Sequence, residues 1–261
     1  MTELLAPAGS WDALVAAVQS GADAVYMGFG NFNARRNAQN FTHEQFAEAV
    51  RYCHLRGVRV YLTLNTLLSD RELPQAADAL RRASEMGADA VLVQDWGVFT
   101  LAREVTPDLP IHASTQMSLF TLGGANEAAR LGMERVVLAR ELSREDIRTI
   151  VNGCPAEIET IVHGALCMCY SGQCALSAVV GQRSGNRGRC AQPCRLPYGA
   201  GDAPCRDEHP MSLKDACLAG YAAEMDDMGV SCLKIEGRMK RPEYVALVTS
   251  VYRRLLDGGE L

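Results

Sequence analysis

Short apolar runs alternate along the chain with longer stretches in which apolar positions recur every three or four residues, and glycine punctuates the joins. A short continuous apolar run suits a strand buried on both faces, whereas the longer period suits a helix with one buried side. Strands are therefore expected over 3–9, 22–29, 58–65, 88–95, 110–116, 133–140, 156–164 and 230–237. Helices are expected over 10–21, 42–57, 72–87, 97–105, 123–132, 143–153, 212–229 and 241–259. Ser10 and Gly21 stand where an N-cap and a C-cap belong, and Thr42 with Gln45 has capping-box spacing.

Eight strands, each followed by a helix, predict an α/β fold of the (β/α)8 TIM-barrel kind. The phrase Gly-Ala-Asp-Ala-Val occurs at Gly21–Val25 and again at Gly87–Val91, as expected of equivalent turns at the barrel bottom. The alternative is an open doubly wound sheet, but no glycine-rich dinucleotide fingerprint follows the first strand. In a barrel, reactive groups sit where the strands end, in the βα loops. The stretch 165–211, between the seventh strand and its helix, is then a long insertion on the catalytic face.

The 261 residues, 48% hydrophobic and 22% charged, suit one barrel domain over 1–261. No apolar run reaches the ~18 residues of a membrane span. The opening MTELLAPAGS has neither a basic nor an apolar leader region, so a cytoplasmic location is expected. A net charge of −5 excludes a protein basic all over and leaves room for a local basic patch.

The insertion concentrates the chemistry. Cys167, Cys169, Cys174, Cys190, Cys194 and Cys205 are six of the ten cysteines. Their spacing contains no paired CxxC knuckle of the zinc type, and the surrounding Gly and Ser suit an iron–sulfur cluster. Zinc, catalytic thiols and disulfides remain the alternatives. Arg183, Arg187, Arg189 and Arg195 would offset thiolate charge. Cys53, Cys154, Cys217 and Cys232 read as small buried hydrophobes on helix or strand faces.

The strand ends supply the other candidates. His112, His163 and Glu236 are the candidate catalytic groups, with both histidines expected to point toward the top face. Asn33, Arg35, Asn65, Gln116, Arg140, Lys234 and Arg238 are the candidate substrate contacts. Arg35, Arg140 and Arg238 suit a dicarboxylate, because a guanidinium binds carboxylate in bidentate fashion. The plainer reading of Lys234 and Glu236 is that they pair with each other or with a neighbouring strand, as charges in barrel cores commonly do. Arg183, Arg187, Arg189, Arg195, Arg238, Lys240 and Arg241 would form a basic entrance suited to RNA phosphates. A thiol protease pairing Cys167 with His163 is conceivable, but no G-x-S-x-G elbow or HExxH motif occurs.

The wording HGALCMCYSGQC (163–174), GNRGRCAQPCR (185–195), LAPAG (5–9), ADAVYMG (22–28), NARR (33–36) and CLKIEGRMKRPEYV (232–245) resembles the collagenase-like peptidase family U32, from Glu3 to Arg254. The family name implies proteolysis. Its better-understood relatives imply hydroxylation: of wobble uridine in tRNA, of a ribosomal-RNA cytidine, and of ubiquinone without oxygen, the last with a partner subunit. The resemblance further implies a 4Fe-4S cluster and prephenate as oxygen source. Its ligands carry over to Cys167, Cys174, Cys190 and Cys194. Cys205 is an alternative fourth ligand, since one branch takes a cysteine further along. Longer relatives carry a C-terminal accessory domain, so the chain is expected to be the barrel core.

Overall fold

The computed structural model describes residues 2–29, 32–34, 40–199 and 208–260. The described strands are β1 (Glu3–Pro7), β2 (Ala24–Met27), β3 (Arg59–Leu64), β4 (Ala90–Val93), β5 (Ile111–Ala113), β6 (Arg135–Val137), β7 (Glu157–Gly164), β8 (Ala216–Cys217) and β9 (Cys232–Ile235). All but β8 run parallel in one sheet; β1 pairs with β9, and the β6–β7 pairing completes the ring. The helices are α1 (Trp11–Gln19), α2 (His43–His54), α3 (Leu73–Glu85), α4 (Trp96–Val105), α5 (Leu122–Leu131), α6 (Arg144–Gly153), α7 (Leu176–Gly181), α8 (Ala222–Met228) and α9 (Pro242–Leu256). The result is the closed (β/α)8 barrel that the alternating pattern predicts, with α7 and β8 in the segment after β7.

Local chemistry explains the joins. Ser10 accepts the Ala13 N–H at the start of α1, and Thr42 and Gln45 exchange bonds as a capping box on α2. The repeated Gly-Ala-Asp-Ala-Val phrase does one job twice. Gly21 and Gly87 take left-handed φ of 90° and 88°. The aspartates that follow turn back, Asp23 accepting from Leu4 N and Asp89 from Val60 N. Each turn thereby fastens one strand to the strand before it.

One expectation fails. The stretch 212–229 is helical only from Ala222, and it begins instead with β8, antiparallel to β7. β6 pairs only with Glu157–Glu159, which leaves the upper end of β7 able to bond Ala216 and Cys217. The Leu218 N–H continues the pairing to the Val162 carbonyl. Cys217 is consequently exposed, unlike Cys53 and Cys232, which are buried as expected. Burial raises the Cys53 thiol to about 12, so it is inert.

Alternate residues of each strand point inward, and the lower interior is polar. Arg135 of β6 donates to Glu3 of β1 at 2.6 Å and meets Glu157 and Glu159 of β7 at 2.6 and 3.4 Å. Glu159 also takes Lys234 of β9 at 2.8 Å. Tyr61 donates to Glu3 at 2.8 Å, and Arg59 pairs with the same carboxylate. Lys234 is thus a buried structural cation lying 4.5 Å over the Tyr26 ring, and its place among the substrate contacts is corrected: β7, rather than a ligand, satisfies it.

His112 is corrected likewise. It packs edge-on against Tyr61 at 4.9 Å, inside the lower barrel. With Arg59, Arg135 and Glu157 it lines a cavity of about 450 Å³ at the strands' N-terminal ends, opposite the βα loops. The expected orientation was wrong because β5 is only three residues long, so His112 sits one step from its start. Burial first, then the charges of Arg135, Lys234 and Arg59, holds its pKa well below the usual histidine value.

These groups generate two tests. Glu159→Ala leaves Lys234 buried without its carboxylate, and denaturant melts should show a loss of about 3–5 kcal/mol; Glu157→Ala, at the exposed end, should cost far less. Neutral His112 binds no proton in the folded state, whereas the unfolded chain protonates below about pH 6.5. Stability should therefore be full above that pH and fall as the pH drops below it. Melts of His112→Gln at pH 7.5 and 5.5 should lose that part of the slope.

Candidate active site at the barrel mouth

The segment after β7 folds back over the C-terminal ends of the strands, and it is seated there on two glycines. A Cβ on Gly172 would lie 2.0 Å from the Gln116 carbonyl oxygen, and one on Gly188 would lie 2.3 Å from that of Asn33. Both glycines are left-handed, at φ 78° and 69°. Only glycine lets backbone approach backbone so closely here. Side chains lock the two seats. Ser171 donates through its N–H, at 2.6 Å, and its hydroxyl to Glu141 of the β6–α6 loop. Arg187 grips Glu72 with two bonds of 2.8 Å and also takes the Leu67 carbonyl. The Arg187 bond, together with bonds from Ser69, holds the Glu72 carboxyl down at about 2. Arg195 ties the insertion's own ends, donating to Leu166, Ser212 and Leu213.

These contacts correct the expected basic entrance. Arg187 and Arg195 are clamps, Arg238 is buried, and Lys240 lies 3.8 Å from Asp215. Arg183, Arg189 and Arg241 remain exposed, the first two joined by a bond from Arg183 Nε to the Arg189 carbonyl.

The insertion gathers the thiols. Cys194 interacts with Cys167, Cys190 and Cys174, and Cys169 with Cys174 and Cys167. Burial first, then these neighbours, raises both thiols, while Arg195 pulls Cys194 the other way. The Gln192 N–H donates to Cys190 Sγ at 3.3 Å. Among the described residues no three His, Cys, Asp or Glu side chains form a ready-made metal cage. The donors that do converge are all sulfur, with a backbone N–H and a guanidinium beside them. Such a set suits a thiophilic centre and not a hard oxygen-seeking cation. Cys205 lies outside the described residues.

The remaining candidates divide. Arg238 donates to Thr63 Oγ1 at 3.0 Å and Asn33 Oδ1 at 3.1 Å. Asn65 accepts from Ala34 N and donates to Ser114, which also accepts from the Gln116 N–H. Arg140 and Glu236 meet across the mouth at 3.1 Å, while Lys234 pairs with Glu159 of the neighbouring strand β7, one of the two forms that the plainer reading allowed. Asn33, Asn65, Gln116, Arg140, Glu236 and Arg238 are thus together at the strand ends. Arg35 lies outside the described residues. Gln94, which also ends a strand here, stands outside those candidates: its buried Oε1, like the Arg140 Nε, has no hydrogen-bond partner among the described residues. Its position at the end of a strand was the available signal.

His163 is the third correction. An irregularity between Ile161 and His163 shifts the β7–β9 register. The ring therefore lies against Tyr244 and Tyr252 of α9, on the barrel's outer side, with Nδ1 3.4 Å from the Tyr252 hydroxyl. Burial, opposed by Asp215, lowers its pKa. No described hydrogen bond links it to a cysteine, so the described residues give no support to the conceivable pairing with Cys167.

A parallel (β/α)8 barrel with a thiol-bearing insertion clamped onto its C-terminal face defines the class. Residues 9–260 match the profile of Peptidase family U32, and the chain belongs to that family. It is 42% identical to a 23S rRNA 5-hydroxycytidine synthase of Escherichia coli (strain K12), covering 98% of this chain and 39% of that protein. It is 39% identical to a tRNA hydroxylation protein of Bacillus subtilis (strain 168), covering 98% of this chain and 63% of that one. A protein of Porphyromonas gingivalis (strain ATCC BAA-308 / W83) named collagenase is 35% identical, with 98% and 66% covered. The chain thus spans between 39% and 66% of the length of these three relatives. A solved U32 peptidase shares the fold at a TM-score of 0.62 and 18% identity, over 91% of this chain and 93% of that one.

The glycine seat gives a direct test. Gly172→Ala forces a Cβ into the Gln116 carbonyl and into a left-handed conformation, and should lift the insertion from the β5 loop. Limited proteolysis should then cut within 165–199 at least several-fold faster, while Gly181→Ala, where a Cβ meets nothing within 4 Å, should leave the rate unchanged.

Proposed function

We propose that this chain is the barrel of an RNA hydroxylase, and that its substrate is the wobble uridine of tRNA, converted to 5-hydroxyuridine. The observation that carries this reading is the identity, near 40%, to relatives named for hydroxylating tRNA and 23S rRNA, over 98% of this chain. In this reading Cys167, Cys174, Cys190 and Cys194 hold a 4Fe-4S cluster, with Cys205 the alternative to Cys194. The convergence of thiols and the N–H bond to Cys190 support that choice. When bound, such a cluster supplies one-electron chemistry at the mouth.

The chain's own residues have definite tasks. Prephenate, the proposed oxygen source, is a dicarboxylate. Arg140 is suited to one carboxylate, because its Nε is buried without a hydrogen-bond partner among the described residues and its present anion, Glu236, is exchangeable for another. Arg238, held by Thr63 and Asn33, is the second guanidinium at the mouth. Glu236, beside Arg140 at the mouth, is the carboxylate suited to exchange a proton with the bound base. Proteolysis lacks comparable support: neither strand histidine faces the mouth, and no described hydrogen bond joins an imidazole to a thiol there.

The test has two parts. Anaerobically purified protein should be brown, with about four iron and four sulfide per chain. Cys174→Ala should lose both, and Cys53→Ala neither. Mass spectrometry of nucleosides from a strain lacking the protein should show loss of 5-hydroxyuridine from tRNA, restored by the parent and not by Cys174→Ala. Loss of a hydroxycytidine instead would move the substrate to ribosomal RNA. Stoichiometric zinc, or unchanged tRNA and rRNA, would sink the proposal.

A further inference from the structure

Phe120, in the loop that follows β5, and Tyr170, in the insertion, stack with ring centroids 5.9 Å apart and planes 26° from parallel. Packing does not account for them, since Phe120 is 46% and Tyr170 61% exposed. Yet the backbone beneath the pair is pinned. Next to Tyr170, Ser171 is bonded to Glu141 through N–H and hydroxyl, and its carbonyl accepts from Ser118. Gln173 also donates to Ser118 at 2.8 Å, two residues before Phe120. Two loops of different strands thus hold an aromatic surface in one place and leave it facing solvent.

Its surroundings point to one kind of ligand. Tyr170 directly follows Cys169, whose thiol interacts with Cys174 and Cys167. Cys174 and Cys190 both flank Gly185, the Cys190 Cβ and the Cys174 carbonyl lying 3.6 and 3.9 Å from where its Cβ would stand. Beside Cys190 come the exposed Arg189 and its partner Arg183. Tyr170, the thiols and the two exposed guanidiniums are thus carried by one insertion on the mouth side, linked through Cys169, Cys174 and Cys190. Aromatic planes next to cations are how proteins hold unpaired nucleotides, the ring taking the base and the cation the phosphate. An enzyme that alters a base must also draw it out of its own stack, and a fixed ring compensates for the stacking lost.

We propose that Phe120 and Tyr170 form a stacking platform for an unpaired base of the RNA substrate, with Arg183 and Arg189 taking adjacent phosphates. The proposal rests on the RNA reading above and deepens it, making these four side chains positioning residues for the nucleotide.

Binding of a short fluorescein-labelled oligouridine to the iron-loaded protein, at low and high salt, tests it alongside nucleoside mass spectrometry of the complemented strain. Tyr170→Ala and Phe120→Ala should each weaken binding about tenfold or more. The loss should be the same at both salt concentrations, because stacking releases no counterions. Tyr170→Phe should bind as the parent does. Arg183→Ala with Arg189→Ala should instead flatten the salt dependence. Iron content and Tm should stay at parental values in all four; a loss of affinity that tracks lost iron or a lowered Tm would overturn the platform by showing a merely structural role. If the parent binds and modifies RNA and both alanine variants do so equally well, the platform alone fails. If the parent neither binds nor modifies RNA, the RNA reading fails and takes the platform with it.

Discussion

Arg135 stands where the ring of strands closes, and the barrel depends on its charge being answered. From β6 it reaches Glu3 on β1 and Glu157 and Glu159 on β7, and Glu159 passes the contact on to Lys234 on β9. The β6–β7, β7–β9 and β9–β1 pairings are the ones that bring the end of the chain round to its beginning. A buried charge without a partner costs several kcal/mol, and a strand slipped by one residue would turn its charged side chain outward. The network therefore does more to specify which register closes the barrel than to add stability. His112, kept neutral beside these cations, belongs to the same floor.

The upper end of the barrel obeys a different constraint. There the backbone of the insertion must approach the backbone of the βα loops, and Gly172 and Gly188 make the approach possible. Glu141 and the Arg187–Glu72 pair then hold each seat. The outcome is a division seen in barrels generally: charge satisfied at the bottom supports the fold, while groups at the top are arranged for chemistry. The insertion's thiols, Glu236, Arg140 and Arg238 all lie on the upper side, and Gln94 Oε1 and Arg140 Nε, at the strand ends there, are among the buried atoms without a hydrogen-bond partner among the described residues.

Family membership and this geometry bear on each other. Relatives named for RNA hydroxylation and one named collagenase share the same barrel sequence over nearly all of this chain, so the fold does not choose between the activities. What the site shows is narrower: His112 lies in the lower barrel and His163 on its outer side, so neither histidine carried by a strand faces the mouth.

The periodicity of apolar residues alone determined the eight strands and most of the helices, because burial on one or two faces is written into neighbouring positions. The Gly-Ala-Asp-Ala-Val turns were legible for the same reason: the aspartate bonds a strand adjacent to its own. The cysteine cluster was legible from its density and from family wording, and its place on the catalytic face followed from counting strands. Side-chain direction and pairing were decided by the tertiary structure. Lys234 and Arg187 find their carboxylates 75 and 115 residues away, and no local pattern encodes such a partner. His163 was turned outward by an irregularity in β7, and 216–218 was drawn from helix into strand pairing by hydrogen-bonding groups that β6 left open. Sequence sets what each segment prefers; which of several charged or aromatic residues becomes a clamp, a floor or a surface depends on what the closed ring places opposite it.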